Sequence, residues 1–139
     1  MYTDTIINII HPPGKILLMV FLIFGNLPVL AAADKEQRYP NVIAVKVKHD
    51  TGDLFNFDVT VSSPYDTPQR YADAFRVVDK AGRVFGERKL LHDHEDEQPF
   101  TRDLYGVFIP KGIRSVVIEA RDQKHGYGGA KLEAMLPGR

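Results

Sequence analysis

The sequence predicts an all-β fold, an antiparallel β-sandwich of about seven strands, and three observations carry that expectation. Several short segments alternate apolar and polar residues with the two-residue period of a half-buried strand. Turn-forming residues recur roughly every 8–12 positions. No stretch of useful length repeats with the period of a helix.

The strands follow in order. In 42–49, Ile43, Val45 and Val47 are expected on the inner face and Lys46 and Lys48 on the other. Asp50-Thr51-Gly52-Asp53 is a turn, with Gly52 free to adopt positive φ. The segment 54–62 alternates Phe55, Phe57, Val59 and Val61 with Asn56, Asp58, Thr60 and Ser62. Together these two segments predict a hairpin. Two prolines, Pro64 and Pro68, mark the following loop. Strands are expected over 71–79 and 83–91 around the turn Asp79-Lys80-Ala81-Gly82, then over 104–109 and 113–121 around Pro110-Lys111-Gly112. A Gly-rich loop is expected over 122–129 and a closing strand over 130–136. This spacing is that of an immunoglobulin/fibronectin-III-like sandwich. The cysteine pair and tryptophan of antibody domains are missing, since the chain has no Cys and no Trp. A small closed barrel is the competing fold.

Residues 1–33 stand apart from this pattern. Ile16–Phe24 is an uninterrupted apolar run preceded by Lys15, and Gly25-Asn26-Leu27-Pro28 and an Ala31-Ala32-Ala33 ending follow it. These are the parts of a secretory signal peptide cleaved near Ala33. The run is shorter than the about 20 apolar residues that span a bilayer. Cleavage leaves 139 − 33 = 106 residues, 34–139, as a single domain in the periplasm or outside the cell. Without cysteine, that domain must be stable without disulfides and cannot use thiolate ligands or nucleophiles. Lys plus Arg and Asp plus Glu each total 18, so net charge favours neither nucleic acid nor an anionic membrane as partner.

Antiparallel strands reverse direction at each connection, so successive connections alternate between the two ends of the sandwich. That parity places Asp66, His92, His94, His125 and Tyr127 on one rim and excludes His49. The rim contains the densest chemistry of the chain, His92-Asp93-His94-Glu95-Asp96-Glu97. On extended backbone, histidines at i and i+2 face one side with Cα atoms about 6.5 Å apart. Their nitrogens could then meet one ion at about 2.0–2.1 Å. His125 would supply a third imidazole. Glu95, Asp96, Glu97 and Tyr127 could complete or orient the set. Nitrogen and oxygen donors without sulfur suit Cu(II), Zn(II) or Ni(II), and Cu(II) or Zn(II) is the expected ion. A calcium site from Asp93, Asp96 and Glu97 ranks lower, because the D-x-D-x-D-G spacing is absent.

A plainer reading competes with the metal. The run Gln98-Pro99-Phe100-Thr101-Arg102 can act as a loop clasp, with Phe100 capping the core and Arg102 forking onto Glu97 or Glu95. The domain would then be a non-enzymatic module for a protein or glycan partner, and its His/acid loop purely structural. A small metal-dependent hydrolase ranks third, since no Gly-x-Ser-x-Gly, P-loop or His-Glu-x-x-His motif is present.

The pattern His92-x-His94-x-x-Glu97-Gln98-Pro99-Phe100-Thr101-Arg102, with Gly106-Val107-x-Ile109-Pro110 and His125-Gly126-Tyr127-Gly128-Gly129, resembles a family of small uncharacterised exported bacterial proteins. The resemblance runs from about Tyr71 onward. It implies export and a sandwich fold, and it implies no particular activity.

Overall fold

Alternating apolar residues need two layers to bury them, and the computed structural model, described over residues 36–139, provides two antiparallel sheets. The strands are β1 (Asn41–His49), β2 (Leu54–Ser62), β3 (Ala72–Val78), β4 (Val84–Lys89), β5 (Phe100–Phe108), β6 (Ser115–Asp122) and β7 (Gly126–Met135). One sheet has the order β1-β2-β5, the other β4-β3-β6-β7. The signal peptide expected over 1–33 lies outside the described residues.

Phe55, Phe57, Val59 and Val61 of β2 meet Phe75 and Val77 of β3 and Val116 and Ile118 of β6 in the core, all with no exposure. Each such side chain contributes about 1.5–3 kcal/mol relative to its exposed state. The alternation in β2 is therefore the main determinant of the fold.

One strand changes phase near its start and two strands start earlier than the sequence expectation, each for a local reason. A register shift between Val42 and Ala44 changes the phase at the start of β1, while Val45 and Val47 still pack against the core as expected. Val42 is consequently buried, and Ile43, expected inside, is 49% exposed. Strand β5 starts at Phe100 rather than 104, because Phe100, Thr101 and Arg102 already pair with Val61, Thr60 and Val59 of β2. Strand β7 starts at Gly126 rather than 130, because Asp122 pairs with Gly126 and closes a tight hairpin.

The glycines that suggested a loop have another role. A Cβ on Gly128 would strike the Tyr39 ring, and one on Gly129 would strike the Pro40 carbonyl, where φ is also +78°. The Asn41 side chain then accepts the Ala130 N–H at 2.8 Å. The Gly-Tyr-Gly-Gly run thus lets residues 39–41 cross closely over β7.

All strand neighbours run antiparallel, and the connections alternate between the ends as parity requires. Connections 63–71, 90–99 and 123–125 are joined by hydrogen bonds at one end: Gln123 N–H to the Tyr71 carbonyl at 3.0 Å, and His94 N–H to Asp66 at 3.0 Å. The opposite end carries turns 50–53, 79–83 and 109–114, with Ile109 N–H donating to the Asp53 carbonyl at 2.9 Å.

Candidate functional site at the loop rim

Loops cannot satisfy all of their backbone groups by pairing with one another, so buried side chains complete the accounting. Asp66 is 2% exposed. Its Oδ1 accepts Ala72 N–H and its Oδ2 accepts His94 N–H, both at 3.0 Å, joining the β2–β3 loop to the β4–β5 loop. Gln98 ties the same two loops: its Oε1 accepts Ser63 N–H at 2.8 Å and its Nε2 donates to the His94 carbonyl at 3.0 Å.

Asp122 does the equivalent for the β6–β7 turn. It is fully buried, and its Oδ2 accepts Lys124 and His125 N–H at 2.9 and 2.8 Å. Its Oδ1 accepts Arg70 Nε at 3.1 Å, while Arg70 also donates to the Arg38 carbonyl at 2.8 Å and stacks on Tyr65. Burial alone would push the Asp122 carboxyl up. The nearby Tyr65 hydroxyl, the His125 N–H and Arg70 outweigh burial and hold it below the usual carboxylate range. Tyr65 Oη is buried there without a well-formed hydrogen bond. Burial, then the adjacent Asp122, raises its phenol pKa.

The histidines occupy different surroundings above this base. His94 is 4% exposed and stacks on the buried Phe100 ring, with centroids 3.8 Å apart and planes 12° apart. Its Nδ1 has no hydrogen-bond partner, and Asp66 Oδ2 stands 3.9 Å away. Burial lowers the His94 pKa, Arg102 and His92 lower it further, and Asp66 and Glu97 only partly compensate. His92 is exposed, with its ring centroid 5.0 Å from that of His94 and its Nδ1 2.7 Å from the Asp93 carbonyl oxygen.

His125 does not complete the pair. Asp122 holds its backbone in the turn, and its ring faces Tyr39 edge-on at 6.0 Å. Among the described residues, no three His, Cys, Asp or Glu side chains form a group that could hold a metal ion, so His92, His94 and His125 are not such a set. Tyr127, expected on the rim, lies in β7 instead. It donates to Glu87 at 2.7 Å beneath the Arg76 guanidinium, on the four-stranded sheet. Glu95 and Asp96 are exposed on the loop.

The clasp residues make contacts of the expected kind. Arg102 forks onto Glu97 at 3.3 and 2.8 Å, and this hydrogen bonding holds the Glu97 carboxyl below its ordinary range. Phe100 has no exposure. Sequence reading missed Asp122 and its partner Arg70. A signal for Asp122 existed, since it continues the inward phase of Val116, Ile118 and Ala120. An acid at an inward strand position needs buried donors.

No protein-family model matches this sequence. A protein of Halomicrobium mukohataei named "Putative lipoprotein" is 37% identical over 100 residues, covering 72% of this chain and 49% of that protein. The chain therefore spans about half the length of the curated relative it matches. The crystal structure of a hypothetical protein from Pyrococcus horikoshii OT3 is similar with a TM-score of 0.47 and 16% identity, covering 74% of this chain and 91% of that chain.

Proposed function

We propose that this chain is an exported, cell-envelope β-sandwich that works as a non-enzymatic binding module for a protein partner, presenting the crest Leu91–Glu97 on a locked base. Export is supported by the leader-like pattern of residues 1–33 and by the name of the Halomicrobium mukohataei relative. The observation that carries the module reading is the base itself. Asp66 and Gln98 are committed to holding the loop, while Leu91, 83% exposed, and His92 stand in solvent above it. A loop fixed in advance loses less entropy when a partner docks.

The test has two parts. Cell fractionation of the full chain should place it in the envelope, and cytoplasmic recovery alone would sink the export reading. A photo-crosslinking residue at Leu91 or His92 should give discrete protein adducts in cells, and one at Thr51 on the opposite end should not. The same adducts from both ends, or none, would remove the crest as the docking surface.

A second reading keeps the metal. The His92 and His94 rings lie 5.0 Å apart, and His94 Nδ1 is buried without a hydrogen-bond partner. In this reading Cu(II) or Zn(II) takes those two imidazoles as protein ligands, and water or a partner's donor fills the remaining positions. Calorimetric titration beside a His92→Ala/His94→Ala double variant decides it. Equal binding by the two proteins would end this reading.

A further inference from the structure

The opposite end of the sandwich has features that the rim lacks. Turns 50–53 and 109–114 and the segment Pro137–Arg139 border a half-open cavity of about 450 Å³. Ligand pockets typically hold about 300–1,000 Å³. Phe55, Ile113 and Pro137 are its apolar lining. Phe55 belongs to the core, has no exposure and meets the His49 ring edge-on at 5.3 Å, so it backs the cavity while Ile113 and Pro137 form its accessible apolar surface.

The charged lining is Lys111, Arg114 and Arg139 against the single acid Asp53, with His49 beside them. That acid is already neutralised, because Arg139 Nη2 sits 2.6 Å from Asp53 Oδ1. Arg139 also donates from Nη1 to the Pro110 carbonyl at 2.5 Å, and its Cζ lies 4.8 Å from the Phe55 ring centroid. It is a wall of the cavity and has no charge to spare. Lys111 and Arg114 are different. Both are exposed, and among the described residues neither enters an ion pair. Two cations without counter-charge therefore border an apolar floor, the arrangement that holds a molecule with an anionic head and an apolar body.

We propose that this cavity binds a small organic anion with a short aliphatic body, its carboxylate between Lys111 and Arg114 and its chain against Ile113 and Pro137. A guanidinium offers a carboxylate two parallel N–H groups, while an ammonium adds a point charge. The apolar lining selects against a bare inorganic anion, and the cations select against a neutral alcohol of the same length. The same chemistry occurs in a free carboxylic acid and in an acidic lipid. A cavity of about 450 Å³ is large enough to take the free molecule.

The experiment is calorimetric titration of the full chain with octanoate, octanol and inorganic phosphate, beside a Lys111→Ala/Arg114→Ala variant. Both residues are exposed in a turn, and an unchanged thermal melt will confirm that the variant is folded. Octanoate should bind at least about tenfold more tightly than octanol or phosphate, and the variant should lose at least about tenfold in affinity for octanoate. Absence of octanoate binding, or equal binding by the variant, overturns the proposal. Co-sedimentation with phosphatidylglycerol vesicles in a protein that ignores monomeric octanoate also overturns it, assigning these cations to a lipid surface instead.

Discussion

At the histidine end of the sandwich Asp66 and Asp122 turn inward and are fully engaged, whereas at the opposite end Lys111 and Arg114 stand exposed beside a half-open cavity. The difference follows from the connections. The loops 63–71 and 90–99 link strands in different sheets and cannot pair their backbones regularly, so Asp66 and Gln98 accept N–H groups left over, and Asp122 does the same within the β6–β7 turn. The turns at the other end combine backbone pairs, Asp50 N–H to the Leu54 carbonyl at 3.0 Å and Gly82 N–H to the Asp79 carbonyl at 3.0 Å, with side-chain caps, since Asp79 Oδ1 accepts Ala81 and Arg83 N–H and Arg139 donates to the Pro110 carbonyl. Among the described residues the exposed Lys111 and Arg114 side chains take no part in these caps.

The largest expected effect would break this contrast if it failed. Asp122→Ala leaves Arg70 and two backbone N–H groups without their acceptor, and should destabilise the fold by about 3–5 kcal/mol in urea denaturation. Arg139→Ala at the opposite end should cost about 1–3 kcal/mol, because its main partners are carbonyls and a partly exposed acid. Equal losses would show that the two ends are held in the same way.

Gly129→Ala comes next. The added Cβ meets the Pro40 carbonyl at a positive φ, so a loss of about 1–3 kcal/mol is expected. Gly52 also has positive φ but opens onto free space. Its replacement by alanine should therefore cost less, through backbone strain alone.

A pH titration sharpens the rim half of the comparison. Burial, then Arg102 and His92, lower the His94 pKa in the folded protein. The unfolded chain therefore takes up the proton first, near pH about 6.5. Between that value and the lower native one, the unfolded state holds more protons, so stability rises with pH. This part of the stability is complete above the unfolded value and declines as the pH falls toward the native one. Denaturation midpoints measured across that window should flatten in His94→Phe, which keeps the stack on Phe100. An unchanged slope would mean that His94 is not the group responsible.

Glu97→Gln should have the smallest effect, a midpoint shift within experimental scatter. The Arg102–Glu97 fork is well formed but lies in solvent, where such pairs contribute little. A large loss would show that the exposed half of the loop, and not its buried base, holds the rim together.

Much of this architecture was legible in the sequence because alternation has a direct physical consequence. The period of two in 54–62 placed Phe55, Phe57, Val59 and Val61 inside, and parity of connections placed His92 and His94 at the end opposite His49. The failures arose where one residue changed the phase or where a neighbour came from far along the chain. The β1 irregularity moved Ile43 outward. The glycines at 128 and 129 read as a loop because nothing local shows that Tyr39 and Pro40 cross over them.

The sequence by itself determined the two-layer sandwich, the succession of strands along the chain and the crowding of histidines and acids on one rim, since each follows from local period and turn chemistry. Only the tertiary structure decided what those residues do. It stacked His94 on Phe100, turned His125 toward Tyr39, and carried Tyr127 onto the face of the sheet. It also brought Arg139 to Asp53 across 86 residues to wall a cavity that no motif announces. Loop side chains are oriented by long-range packing, and a local pattern contains no record of the residues that will meet it.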